Sequence, residues 1–167
     1  CIRDRLTMVQ RQLDSENAEI RIMERSPASA KNVFTKYIER ENVITAAEAK
    51  VLRFWFDMLE NKLNANFELD GIIYITADPE CTHQRAALRN RKEEKNLTAE
   101  YEKELDLLHE QWLFSGDEKV NNVYIIDGSK TKEQLIIEYH KAVQWIKELK
   151  IAKDGYWMRN NGNLKNN

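Results

Sequence analysis

Two clusters of charged residues have the types and spacing to handle an oxygen-rich, anionic ligand. The first is the tripeptide Glu24-Arg25-Ser26, which follows the apolar run Ile20-Arg21-Ile22-Met23. A guanidinium presents a rigid, planar fork of donors that suits carboxylate or phosphate oxygens. Arg25 is therefore a candidate for holding a substrate oxygen, and a buried ion pair closing a strand end is an equally good reading of the tripeptide alone. The second cluster runs from Arg85 to Glu94. Arg85 and Arg89 share one helix face at i, i+4; Arg91 and Lys92 follow, and then Glu93-Glu94. Like charges at this spacing cost an isolated helix roughly 0.2–0.5 kcal/mol per pair. A polyphosphate would offset that cost, because each guanidinium can make charge-assisted hydrogen bonds to phosphate oxygens. A solvated charged helix is the plainer alternative.

Other chemistries find little support. The five glycines are Gly71, Gly116, Gly128, Gly155 and Gly162. None completes a G-x-x-x-x-G-K-[ST] loop or a G-x-G-x-x-G fingerprint, so the sequence contains no recognisable phosphate cradle. His83, His109 and His140 are scattered, without cysteines or carboxylates at metal-ligand spacing, and no metal site is expected. No nucleophilic triad stands out.

Composition narrows the class further. With 42% hydrophobic and 32% charged residues over 167 positions, the chain can build a real core. A formal net charge of −2 argues against a general nucleic-acid binder, which would carry a strong basic excess. No apolar run approaches the roughly 20 residues that span a bilayer, so no membrane partner is expected. Cys1 and Cys81 supply no disulfide framework and fit a reducing compartment.

The elements that must position the two clusters alternate in type. Leu6, Met8, Val9 and Leu13 recur at helical spacing. A short strand is expected over Ile20–Met23, then Pro27 and a helix from about Ser29 to Glu39. Thr45 and Glu48 form a capping box that opens a long helix through Val51, Phe54, Trp55, Phe56, Leu59 and Leu63. That helix is apolar on more than one face, which suggests a partner subunit on the remainder, or burial all round within one domain. Ile72 to Thr76 reads as a buried parallel strand, and Asp78-Pro79 as the N-cap and first residue of the next helix. Thr98 starts a helix reaching roughly Trp112. Val123 to Ile126 is a further strand ending at Asp127-Gly128, and Thr131 with Gln134 caps a last helix to about Lys150. Strands alternating with helices imply an α/β fold with a narrow parallel sheet. Residues 151–167 read as a polar, disordered tail.

Three blocks together resemble the deoxynucleoside kinase family, over about Leu6 to Lys150. They are Leu6-Thr7-Met8 with Met23-Glu24-Arg25-Ser26; Gly71-Ile72-Ile73-Tyr74-Ile75; and Arg85-x3-Arg89-x-Arg91-x-Glu93-Glu94 leading to Tyr101 and His109-Glu110-Gln111-Trp112-Leu113. The resemblance implies a P-loop NTPase-like parallel sheet with surrounding helices, residues 1–150 being the C-terminal part of the kinase domain. It implies ATP-dependent transfer of the γ-phosphoryl group to the 5′-hydroxyl of a deoxynucleoside, with Mg2+ at the donor phosphates and a homodimer packed through helices. Arg25 matches the arginine at the 5′-hydroxyl and the reacting phosphate, the one catalytic assignment. Arg85, Arg89 and Arg91 match the lid arginines that close over the donor phosphates. Glu94 matches the acid at the sugar 3′-hydroxyl, and Phe34 the aromatic that stacks on the base.

Met8 and Ala30 match the apolar pair of thymidine-accepting members, where deoxycytidine kinase carries a charged pair. A small Ala30 leaves room for a pyrimidine 5-methyl group, and Met8 packs on it without an unpaired charge. Thymidine and deoxycytidine are thus favoured over purines, with plain core packing as the alternative for both residues. The phosphate-binding loop and the carboxylate that serves as general base have no counterpart here, and the family's base-reading glutamine would fall at Cys1, whose thiol cannot replace an amide. The expectation is an N-terminal part missing from this sequence and no activity from these residues alone. A non-catalytic structural relative and another nucleotide kinase, such as thymidylate kinase, are the competing readings. Compartment is open between cytosol and mitochondrion.

Overall fold

The computed structural model describes residues 9–10, 19–61, 69–91, 98–115, 120 and 122–161, with backbone alone from 153 onward. The chain forms two compact units, Cys1–Leu69 with Glu93–Lys119, and Asp70–Lys92 with Val120–Asn167. Among the described residues, no helix is long and apolar enough to cross a membrane.

The first unit is helical. Val9 and Gln10 are helical, and helix α1 runs through Pro27–Ser29 in α geometry, Ala30–Thr35 in π geometry and Lys36–Arg40 in α geometry again. It starts where Ser26 and Ser29 cap each other: Ser29 N–H donates to Ser26 Oγ at 3.2 Å and Ser26 N–H to Ser29 Oγ at 3.0 Å. Pro27 fills the first helical position, where a missing N–H costs nothing. The next helix, α2 (Ala46–Asn61), opens on the Thr45/Glu48 box, with both reciprocal bonds formed. The third, α3 (Ala99–Glu110), is capped by Thr98 Oγ1 on Tyr101 N–H and continues as a π stretch over Gln111–Ser115. Val33, Ala49, Phe56, Leu108 and Leu113 are almost wholly buried here. Lys31 pairs with Glu60, and Arg40 with Glu104, tying α1 to α2 and to α3.

The second unit holds a two-stranded parallel sheet, β1 (Ile72–Thr76) and β2 (Val123–Asp127), in register from Ile72↔Val123 to Thr76↔Asp127. Asp78 caps helix α4 (Pro79–Arg89) by accepting from Glu80 N–H at 2.8 Å. Helix α5 (Lys132–Asn161) starts on the reciprocal Thr131/Gln134 box. A Cβ at Gly71 would lie 2.7 Å from the Trp145 ring and 2.8 Å from Leu149, so only glycine lets α5 approach the entry to β1 so closely.

Several expectations are corrected. Ile20–Met23 forms no strand; the segment is irregular, with Ile20 and Ile22 exposed. A strand exists only where a neighbour completes its ladder, and in the described residues the only ladder joins β1 to β2. The sheet accordingly has two strands where three were expected. For the same reason β1 is half-buried instead of fully buried, with Ile75 exposed. The last helix, expected to stop near Lys150, continues to Asn161, so the segment expected to be disordered from 151 is helical that far.

Candidate active site

Arg25 ends the irregular approach to α1 with φ at 63°, one of three non-glycine residues with positive φ among the described residues. A side-chain-bearing residue in this left-handed region costs roughly 1–3 kcal/mol and persists only where its surroundings dictate it. Here the Ser26–Ser29 box fixes the next residues, so the chain must turn at Arg25 to enter the helix. The turn places the guanidinium carbon 4.6 Å from the centroid of the Phe34 ring, within reach of a cation–π attraction. Glu24 and Arg25 are both exposed, which removes the reading of the tripeptide as a buried ion pair.

Phe34 and Ala30 both lie in the π stretch of α1. A π turn inserts an extra residue into the helical repeat and re-aims the side chains around it. Thr35 stabilises this one by donating from Oγ1 to the Ala30 carbonyl at 2.8 Å. Ala30 is buried, and Phe34 is half-buried with its ring edge-on to His109 at 6.1 Å between centroids. His109 donates from Nδ1 to the Leu105 carbonyl at 2.7 Å, which orients the imidazole. Arg25, Phe34 and His109 thus form a series of contacts, the arginine beside an aromatic ring that meets a second ring edge-on. His109 was not singled out by sequence reasoning; its place in the His109-Glu110-Gln111-Trp112-Leu113 block was the available signal. Met8 and Glu94 lie outside the described residues.

The arginines of the second cluster sit on and just beyond α4, in the other unit. Arg85 and Arg89 share the exposed helix face, as their spacing requires. Asn90 closes the helix in the left-handed conformation, with φ 45° and its N–H on the Ala86 carbonyl, and Arg91 follows past that turn. Arg85 is engaged within the protein: Nη1 donates to the Gly128 carbonyl and Nη2 to the Lys130 carbonyl at 3.2 Å. The turn it reaches is tightly built. Gly128 N–H donates to Thr76 O at 2.6 Å, Ser129 N–H to Asp127 Oδ1 at 2.9 Å, and Asp78 N–H to Ser129 Oγ at 2.8 Å. Lys130 is tethered to Glu138, whose carboxyl is held below its usual range by hydrogen bonds from Lys141 and Lys130. Asp127-Gly128, a turn dipeptide, marks the end of the strand in the sequence, but nothing there ties it to Arg85.

A parallel strand pair flanked by helices defines an α/β protein. A family model described as deoxynucleoside kinase matches residues 3–150. The chain belongs to the deoxynucleoside kinase family, whose fold is of the P-loop NTPase class. It is similar to mitochondrial thymidine kinase 2 of Homo sapiens, 34% identical over 111 residues covering 66% of this chain and 41% of that protein. It is also similar to deoxycytidine kinase of Homo sapiens, 30% identical over 151 residues covering 88% and 58%, and to that of Bos taurus, 32% over 124 residues covering 74% and 48%. The chain spans about half the length of the curated relatives it matches.

Proposed function

We propose that the protein containing these residues is an ATP-dependent kinase that transfers the γ-phosphoryl group to the 5′-hydroxyl of a deoxynucleoside, with pyrimidines favoured. The observation that carries this reading is Arg25, held at a strained backbone angle with its guanidinium beside Phe34, in a chain of the deoxynucleoside kinase family. Phosphoryl transfer asks the protein mainly to position its reactants and neutralise developing charge. Arg25 takes the 5′-hydroxyl and the reacting phosphate, the one catalytic role assigned here. Phe34 offers its ring to the base, while Ala30 and Met8 leave space for a 5-methyl group. Glu94 accepts from the sugar 3′-hydroxyl, and the lid arginines Arg85, Arg89 and Arg91 make up the donor side of the site.

ATP suits this donor set, because guanidinium groups at one helix end match phosphate oxygens in charge and geometry. Magnesium would bridge the donor phosphates, a role that draws on the phosphates themselves and on only one or two protein carboxylates. The residues of 1–150 are read as the C-terminal part of the kinase domain, and the exposed Val51 and Phe54 on α2 as the seat of a second copy.

Substrate competition tests the pyrimidine assignment. The full-length product, incubated with ATP and each of the four deoxynucleosides, is expected to phosphorylate thymidine and deoxycytidine ahead of the purines. A product that prefers purines would contradict the roles given to Ala30 and Met8.

A further inference from the structure

The bonding of Arg85 points away from a purely phosphate-facing role. Its guanidinium spans two carbonyls of one turn, those of Gly128 and Lys130, 43 and 45 residues along the chain. That turn follows β2 directly, and β2 and β1 end side by side at Asp127 and Thr76. In open α/β sheets, ligands are received beyond the carboxyl ends of parallel strands. The turn therefore stands where a ligand of this unit would arrive.

Resting on the kinase reading above, we propose that Arg85 is a positioning residue that braces the Gly128–Lys130 turn for the phosphate donor. Three features of the site support this. The backbone at Gly128 is pressed against β1, where a Cβ would lie 2.9 Å from Thr76 O and 3.0 Å from Ile75, so the turn has one permitted path. Ser129 Oγ accepts from Asp78 N–H, fastening the middle of the turn to the start of α4. Arg85, further along α4, takes the carbonyls on either side of Ser129. The turn is thus held from one helix at two points, and movement of α4 must move the turn with it. The planar guanidinium meets both carbonyls from fixed donor positions, whereas a lysine ammonium, a compact donor on a flexible stem, holds them less rigidly. Arg89, on the same face one helical turn on, then serves the donor while Arg85 shapes the surface that receives it.

Hydrogen exchange of the nucleotide-free protein, read on the peptide covering 127–131, tests the brace without reference to catalysis. Arg85→Lys and Arg85→Gln are expected to speed exchange there by about tenfold, since local opening becomes cheaper, while Arg89→Gln leaves it unchanged. Unchanged exchange in both Arg85 variants, or equal acceleration throughout the chain, would overturn the proposal. Steady-state kinetics on the full-length protein supply the second readout. A brace predicts that Arg85→Lys raises the KM for ATP severalfold, leaving the KM for the nucleoside and kcat near parent values. Retained charge that restores the ATP KM fully would instead mark Arg85 as a direct phosphate contact. If the parent protein phosphorylates no deoxynucleoside, the kinase reading fails while the exchange result still decides the brace.

Discussion

At Arg25, backbone preference and chemistry pull in opposite directions. A φ of 63° is costly for any residue with a side chain and costs glycine almost nothing. Arg25→Gly should therefore be more stable than Arg25→Ala by about 1 kcal/mol, measured by urea denaturation. Both should lose phosphoryl transfer to a similar extent, roughly 100-fold or more in kcat/KM. Equal stability of the two variants would mean that the turn imposes no strain. The tripeptide was legible in the sequence as a charged cluster before a helix, but the positive φ was not. It arises from the Ser26–Ser29 box that follows, a contact between two residues whose spacing was not read as a cap. Arg85 shows the converse: its place on a helix face was legible, whereas its partners lie more than forty residues away and are backbone atoms without a sequence signature.

Among the elements, what could be read locally was read well. Thr45 with Glu48, Asp78 with Pro79, Thr98, and Thr131 with Gln134 each start a helix where expected, because a cap is decided within four residues. What depends on distant partners was not legible. Ile20–Met23 has strand composition without a ladder, and the π stretches at Ala30–Thr35 and Gln111–Ser115, which bury Val33, Trp112 and Leu113, carry no local signature in the sequence.

The Thr45/Glu48 cap also carries a pH signature. Hydrogen bonds from the Thr45 backbone and then its hydroxyl hold the Glu48 carboxyl below its ordinary value. A carboxyl depressed in the folded state adds stability above its unfolded pKa, and that stability is lost as pH falls through the lower folded value. Glu48→Gln should therefore be less stable than the parent at neutral pH, with the difference shrinking in acid. Parallel stability curves from pH 7 to pH 3 would show that the cap does not titrate.

At the scale of the whole molecule, the apolar surface left on α2 needs a purpose. Val51 and Phe54 are 63% and 69% exposed on a helix whose other side buries Ala49, Phe56 and Leu59. This two-faced character was visible in the sequence as apolar residues spread beyond one stripe. If the face seats a second copy, Phe54→Glu should convert a dimer into a monomer in sedimentation velocity, with the helical circular dichroism of the parent retained. A parent that is already monomeric would remove the dimer assignment. The family assignment rests on residues 3–150 and the activity on the protein that contains them.

Sequencing of the full-length transcript, with an assay of its product on thymidine and ATP, is therefore the decisive measurement. The expected outcome is a phosphate-binding loop encoded upstream of Cys1 and thymidine phosphorylation that collapses in Arg25→Ala. A transcript that encodes no such loop, with a product that phosphorylates no deoxynucleoside, would contradict it and leave Arg25 and the lid arginines as traces of an ancestral site.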